Sequence, residues 1–394
     1  MTWPIVQISE RAKGQIEKGS LWIFSNEFVS KIKGIKSGTW IDFHCRGQFV
    51  AYGYVNPHSL ITGRVCSRTP VLDRKGLFLS LIERSLNRRK DFFEFGSYRA
   101  VFAESDWLSG LIVDVYENSK GTVLVAQSNT AGMDEARSDW QDALVKIFKP
   151  SGLVVKADSA IRRLEEIKNF TEVILGNEQE LSQGQVLEDG VSFAADFVNG
   201  QKTGFFLDQR DNRLFLKKKS KSLKILDLCS YSGGWGISAL SGGAQHVTFV
   251  DQSEEALALV TKGLALNDFS LERASLIKSD VFDFLEKNAE KFDVVVADPP
   301  AFIKSKKNMN QGLKAYAKLN SLALSKLAPG GVLYTCSCSF HLSESEFEKI
   351  LIDEVQKARR ECRVLFRGTQ AGDHPWILNR PESKYLKCLG FKVE

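Results

Sequence analysis

From about Gly190 onward the chain repeats one local pattern: a short apolar run, a turn rich in Gly or Asp, then a helical stretch. The runs are Lys224 to Leu228, His246 to Val250, Ala274 to Ile277, Phe292 to Ala297 and Gly331 to Thr335. Runs this short and this apolar, alternating with helices, bury both faces only in a parallel sheet with helices on each side. The pattern therefore predicts a doubly wound α/β domain over 190–394. In such a sheet ligands lie beyond the carboxyl ends of the strands, so the residues that follow each run are where chemistry is expected.

The sequence before this region reads differently. Between Ile5 and about Arg68, short apolar runs are broken by Gly: Leu21-Trp22-Ile23-Phe24, Trp40-Ile41-Asp42-Phe43, and Phe49 to Val55. They predict a small β-barrel or sandwich over 1–72. A helix with an Arg-rich face follows near Gly76 to Asp91. Strands at Gly110 to Tyr116, Thr122 to Gln127 and Gly152 to Lys156, with a helix at Asp134 to Phe148, then predict a central α+β domain over 73–189. A chain of 394 residues exceeds one ordinary hydrophobic core, in keeping with such a division.

No apolar stretch approaches the roughly 18 to 20 residues that span a bilayer, and no signal peptide opens the chain, so a cytoplasmic protein without a membrane partner is expected. Seven cysteines are too few for a disulfide-stapled scaffold, and reduced thiols are the default. The net charge of +5 is modest. Basic residues nevertheless cluster at Lys31, Lys33 and Lys36, at Arg84 to Lys90, at Lys217 to Lys224 and at Lys304 to Lys307. Such clusters suit phosphate contacts and are equally at home on a solvated face.

The run ending at Leu228 passes straight into Cys229-Ser230-Tyr231-Ser232-Gly233-Gly234-Trp235-Gly236 before a helix begins. Gly234, Gly236 and Ala239 satisfy the dinucleotide fingerprint G-x-G-x-x-G/A, which is a weak signal alone. Chemistry separates two readings. A pyrophosphate at this helix start would be repelled by the adjoining Asp227, whereas the ammonium and sulfonium groups of S-adenosylmethionine favour a carboxylate there. Ser232, Gly233, Gly234 and Gly236 then let the backbone approach this cofactor. Asp251, with Gln252 beside it, is placed to accept the ribose hydroxyls. Asp280 and Val281 are placed to hold the adenine, although an acid at a strand end can equally cap the next helix.

The fourth run ends in Asp298-Pro299-Pro300, where the prolines fix an extended turn and aim the carboxylate. Asp298 and Pro299 border the cofactor, and Asp298 can also hydrogen-bond the amino group of a base. Many methyltransferases of exocyclic amino groups carry an aromatic directly after such a pair; here Ala301 stands there and Phe302 follows, placed to stack on a flipped base. The fifth run leads to Cys336-Ser337-Cys338-Ser339. Carbon-5 of a pyrimidine becomes nucleophilic only after something adds to carbon-6, and a thiolate suits that addition. Cys338, further past the strand, is the candidate nucleophile, and Cys336 is expected to be packed. Buried structural cysteines, or a zinc site of Cys336, Cys338 and His341, are the competing readings; without a second ligand pair, no metal is expected.

Together these motifs resemble the bacterial large-subunit ribosomal RNA cytosine-5 methyltransferases that carry an N-terminal PUA domain. The likeness spans nearly the whole chain in order. It includes Leu21 to Ser25, Thr203 to Arg213, Asp227 to Gly236, Asp298 to Phe302, Cys336 to Ser339, Asp373-His374-Pro375, Pro381-Glu382 and Tyr385-Leu386-Lys387. It implies an RNA-binding PUA-like barrel, a central domain like those of RNA uridine methyltransferases, and a Rossmann-like class I methyltransferase domain. It also implies ribosomal RNA of the large subunit as partner, Cys338 as the nucleophile, which with Asp298 of the Asp-Pro-Pro turn makes the expected catalytic pair, and a segment around Gln209 and Arg210 that closes over the cofactor or target. Phe206, Gln209 and Arg210, with Phe302 and Lys304 beyond the Asp-Pro-Pro turn, are the expected target contacts. Oligomeric state is left open, a homodimer among the options. This sequence departs from the family at Ala301, commonly Lys, and in Ala103 to Gly110, which lacks a usual extra Gly and Pro. A related family that methylates guanine nitrogen shares the Asp-Pro-Pro turn and lacks the cysteine. N-methylation of a purine, or a non-catalytic RNA-binding assembly factor, are the rival functions.

Overall fold

The computed structural model describes residues 3–118 and 120–394. The chain forms two compact units: Met1–Gly184 with Asp196–Phe205 and Asp373–Ser383, and Gln185–Ala195 with Phe206–Gly372 and Lys384–Glu394.

The first unit holds two five-stranded sheets. One is built from β1 (Ile5–Gln7), β2 (Trp22–Ile23), β3 (Thr39–Cys45), β4 (Gln48–Val55) and β5 (Gly63–Ser67), in the order β1-β3-β4-β5-β2. Its inward residues, among them Ile23, Ile41, Phe43, Val55 and Val65, close around Ile16 of the helix Glu10–Lys18. The other sheet contains β6 (Ser97–Phe102), β7 (Leu111–Asn118), β8 (Gly121–Ser128), β9 (Gly152–Ala157) and β10 (Phe170–Leu175), ordered β10-β9-β8-β7-β6. Trp40, Tyr52 and Tyr54 of the first sheet share a core with Phe78, Ile82, Trp140 and Leu144 of the helices beside the second.

Two helices differ from expectation. The helix read from Gly76 spans Arg74–Asn87, because the Asp73 side chain caps it by accepting from the backbone N–H groups of Lys75 and Gly76. The helix read as Asp134 to Phe148 is two, Ala131–Glu135 and Arg137–Phe148. At the break the indole N–H of Trp140 donates to the Met133 carbonyl at 2.8 Å, replacing the partner that a continuous helix would supply.

The second unit opens with the hairpin β11 (Gly184–Glu188) and β12 (Val191–Ala195). It is dominated by a seven-stranded sheet of β13 (Lys224–Leu228), β14 (His246–Asp251), β15 (Ala274–Lys278), β16 (Phe292–Ala297), β17 (Leu327–Ser337), β18 (Cys362–Gly368) and β19 (Lys387–Val393). The order is β15-β14-β13-β16-β17-β19-β18. The first five strands are parallel, and the pairings of β19 with β17 and β18 are antiparallel. The five expected strands are present, β17 longer than the run that signalled it. The antiparallel pair was not anticipated: β18 is largely exposed, so its sequence lacks the buried-strand signature. Among the described residues no helix is long and apolar enough to cross a membrane.

The helix Gly234–Ser241 packs on β14 through Gly236, where a Cβ would overlap the ring edge of Phe249 and crowd Val247. Gly236→Ala is expected to lower stability by about 1–3 kcal/mol, as overpacked cores do, read as a reduced midpoint in urea unfolding with an unchanged slope.

Candidate active site

Five strands bring five reactive side chains to one edge of the sheet. In the sheet order β15, β14, β13, β16, β17, these are Asp280, two residues past its strand, Asp251, the last of its strand, Asp227, Asp298, the first residue past β16, and Cys338, the first past β17. The parallel register aligns Asp227 with Val296 and Phe249 on its two sides, so the row follows from backbone pairing.

Asp227 is fully buried. Its Oδ2 accepts from the Gly236 N–H at 2.9 Å, and among the described residues its Oδ1 has no partner. Burial pushes this carboxyl up to about 8; the Gly236 N–H and Arg213 oppose the rise, while the nearby charges of Asp298 and Asp251 add to it. The loop above it is tightly wound. Gly233 has a φ of +79°, and Cys229 and Tyr231, at +58° and +46°, occupy the left-handed region that costs a residue with a side chain. The buried Ser230 hydroxyl is also without a partner among the described residues. Two unsatisfied acceptors facing one glycine-lined turn suit a cation with N–H groups to donate, which is the amino-acid end of S-adenosylmethionine.

Asp251 uses Oδ2 for the Tyr231 N–H and Oδ1 for the Ser253 N–H, both at 2.9 Å. Ser253, and not Asp251, caps the following helix, through the Ala256 N–H. Gln252 beside it is exposed. Asp280 is the cap of the helix Val281–Lys287, its Oδ1 accepting from the Phe282 and Asp283 N–H groups. Val281 and Phe282 are half-buried against the sheet core. Ser232 and Pro299 are buried, and Gly234 begins the helix.

Asp298 is held from both sides: Gln209 Nε2 donates to Oδ1 at 2.9 Å and Trp235 Nε1 donates to Oδ2 at 3.0 Å. Burial raises its carboxyl to about 6, with the Trp235 N–H the largest opposing influence; Asp208 adds to the rise, and Arg213 and Gln209 also oppose it. Each oxygen keeps a lone pair for a further donor. The Gln209 side chain is fixed in turn by Asn212, whose Nδ2 donates to its Oε1 at 2.6 Å. Phe206 packs edge-on against Tyr231 of the glycine-rich loop, with ring centroids 5.3 Å apart. The segment 206–213 thus meets both Asp298 and the loop. Arg210 within it is fully buried and does not offer its guanidinium to the surface.

Cys338 is half-buried, one residue past β17, whereas Cys336 is fully buried opposite Cys388. Burial and the Cys388 neighbour push the Cys336 thiol well above its usual range, which fits a packed residue. The residues on either side of Cys338 are tied down. Ser337 Oγ donates to the Tyr316 hydroxyl at 2.9 Å, which lies 2.9 Å from Ser339 Oγ, and Ser339 Oγ accepts from the Ile303 N–H. Lys387 Nζ donates to the Ser339 and Leu342 carbonyls at 2.7 and 2.9 Å. Burial lowers this ammonium to about 8, against the influence of Cys338 and Glu344, while Lys384 assists the fall. Trp235 and Lys387 have no role that their sequence positions alone reveal. The lysine lies on β19, the strand whose position only the fold reveals. Phe302 packs against Tyr316 and Phe282, at 4.8 and 6.3 Å between ring centroids, and Lys304 is exposed on the loop beyond it. Among the described residues no group of three or more His, Cys, Asp or Glu is arranged to hold a metal.

Residues 167–362 match the family model of S-adenosylmethionine-dependent methyltransferases, and residues 6–68 that of PUA-like domains. Over 403 aligned positions, covering 100% of both chains, the sequence is 36% identical to ribosomal RNA large subunit methyltransferase I of Vibrio parahaemolyticus. The chain belongs to the ribosomal RNA large subunit methyltransferase I family. A Streptococcus mutans structure described as a SAM-dependent methyltransferase superposes with a TM-score of 0.82 at 22% identity, covering 99% of this chain and 100% of that one. Another, described as a methyltransferase complexed with SAH, gives 0.83 at 22% identity over 100% of both. At such identities the likeness speaks for the fold. S-adenosylmethionine is the cofactor of this methyltransferase I family member, and the unsatisfied oxygens of Asp227 and Ser230 fit it.

A carboxyl raised to about 8 binds a cation best after losing its proton. S-adenosylmethionine affinity is therefore expected to rise between about pH 6 and 8, by at most about tenfold per unit, and then level. Calorimetry near pH 7 in buffers of different ionisation heat should show proton release on binding; affinity that falls over this range contradicts the assignment.

Proposed function

We propose that this chain methylates carbon-5 of a cytosine in large-subunit ribosomal RNA through a covalent adduct with Cys338. The observation that carries the reading is the pairing of a half-exposed cysteine at the end of β17 with a carboxylate held by two donors at the end of the adjacent strand. The relative named as a ribosomal RNA large subunit methyltransferase, and the PUA-like match, support RNA as the substrate. Residues 1–72 and 73–189 hold structured RNA in this reading, and 190–394 perform the chemistry, in the cytoplasm.

Asp227 and Ser230 hold the amino-acid end of the cofactor, the backbone of Ser232, Gly233, Gly234 and Gly236 borders it, and Asp251 with Gln252 faces its ribose. Asp280, Val281 and Pro299 border the adenine. Bound S-adenosylmethionine supplies the methyl group that carbon-5 accepts. Gln209 and Trp235 fix Asp298 so that one oxygen accepts from the cytosine amino group and the other, when it carries the proton that burial favours, donates to the adjacent ring nitrogen. The Cys338 thiolate adds to carbon-6, forming an S–C bond, and the displaced electron pair is taken up at the ring nitrogen, which receives the Asp298 proton. After carbon-5 is methylated it loses its proton to water, the C–C double bond reforms, the S–C bond breaks to return the thiolate, and the ring nitrogen gives its proton back to Asp298. Phe206 and Phe302 flank the base, and Lys304 meets phosphate. Arg210, being buried, acts by shaping the segment that carries Gln209. N-methylation of a purine would leave Cys338 without a task and would meet Ala301 where that chemistry commonly uses an aromatic.

Replacing the carbon-5 hydrogen by fluorine removes the proton whose loss frees the enzyme. RNA transcribed with 5-fluorocytidine is therefore expected to form a denaturation-resistant complex with the chain in the presence of S-adenosylmethionine. Peptide mass analysis should map the adduct to Cys338. Turnover on this RNA without a trapped complex contradicts the covalent route.

A further inference from the structure

One indole in the first unit is surrounded by arginines. The guanidinium carbons of Arg68, Arg84 and Arg380 lie 5.3, 5.8 and 5.0 Å from the Trp107 ring centre. They arrive from separate segments: Arg68 follows β5, Arg84 is on the helix Arg74–Asn87, and Arg380 comes from the late segment Asp373–Ser383. Arg88, the cap of that helix, adds a fourth positive charge beside them. Trp107 itself sits at a φ of +67°, a conformation an aromatic residue adopts only when its surroundings impose it.

The nearby carboxylates, Asp106, Glu104 and Glu382, offset this cluster only in part. Asp106 is buried and saturated: Oδ1 accepts from Arg89 and Arg88, and Oδ2 from Arg89 and the Phe102 N–H. Glu104 Oε1 accepts from the Trp22 indole at 3.1 Å. Arg380 is buried and engaged with the Gly19 and Glu104 carbonyls, so it forms the floor. Arg68 and Arg84 are exposed and, among the described residues, form no ion pair. Burial and like charge push Arg84 and Arg380 below their usual range, Arg88 acting on the first and Arg68 on the second. A guanidinium laid on an indole has five N–H donors; Arg68 gives one Nη2 N–H to the Ile16 carbonyl and keeps the rest, and such edges grip phosphate oxygens.

We propose that Arg68, Arg84 and Arg88, ordered by Trp107, form a docking site for the phosphodiester backbone of RNA. Arg68 and Arg84, in no ion pair among the described residues, and Arg88, which shares Asp106 with Arg89, leave adjacent positive charge that calls for a ligand with several adjacent anions, and a nucleic-acid backbone has that repeat. Contacts of this kind position the strand without reading its bases. The inference rests on the reading that the substrate is RNA, and it gives a role to Arg84 and Arg88 of a basic cluster that composition alone left undecided.

The test is binding of the full chain to large-subunit ribosomal RNA transcribed in vitro, between about 50 and 200 mM salt. Arg68→Ala/Arg84→Ala is expected to weaken binding about 10-fold and to reduce the slope of log affinity against log salt by about one to two, while Arg68→Lys/Arg84→Lys keeps the slope. Unchanged S-adenosylmethionine affinity verifies the fold of each variant. Should the double variant lose that affinity, Arg84→Glu, on an exposed helix face, carries the same test. Unchanged RNA affinity and slope in a variant of a chain that methylates RNA overturns the docking site alone. A native chain that neither binds nor methylates RNA overturns the site together with the reading beneath it.

Discussion

The register of five parallel strands is the constraint on which the active face depends. Each strand from β13 to β17 ends within two residues of a carboxylate or a thiol, and hydrogen bonding between neighbours sets those ends side by side. Shifting any strand by one residue would turn its terminal side chain to the other face. The apolar interiors of these strands, with Leu226, Val250, Val295 and Leu333 all buried, hold that register in place. Packing of ordinary residues thus determines where the unusual ones stand.

The carboxylate row is electrostatically costly on its own. Asp298 and Asp251 raise the proton affinity of Asp227, and only the Gly236 N–H and the charge of Arg213 offset its burial. The arrangement is sensible for a site that receives a cation, since the unfavourable charge in the empty state becomes favourable in the loaded one. Asp298 differs in kind. Its two donors, Trp235 and Gln209, aim it and hold its carboxyl below where burial alone would put it, which suits the proton exchange with the base proposed for it.

Much of this was legible in the sequence because strand ends can be read from apolar periodicity, and the doubly wound topology then says which edge they share. Asp227, Asp251, Asp298 and Cys338 needed nothing more to be singled out. Trp235 and Lys387 could not be found this way. The indole reaches Asp298 from the helix after the glycine-rich loop, and Lys387 reaches the turn after Cys338 from an antiparallel strand added late in the chain. The sequence around β18 and β19 carries no clear alternation, and the segment 373–383 between them belongs to the first unit, so linear reading could not assemble them. The arginine cluster on Trp107 was half visible: the Arg84 to Lys90 run stood out, but Arg68 and Arg380 lie distant in sequence and meet it only in the fold.

The central claim is that Cys338 is the nucleophile of a pyrimidine carbon-5 methyl transfer. The most direct measurement is mass analysis of nucleosides from large-subunit ribosomal RNA incubated with labelled S-adenosylmethionine and either the native chain or Cys338→Ala. Label in 5-methylcytidine that is absent with Cys338→Ala is the predicted result. Label in a methylated purine that persists with Cys338→Ala would contradict the account.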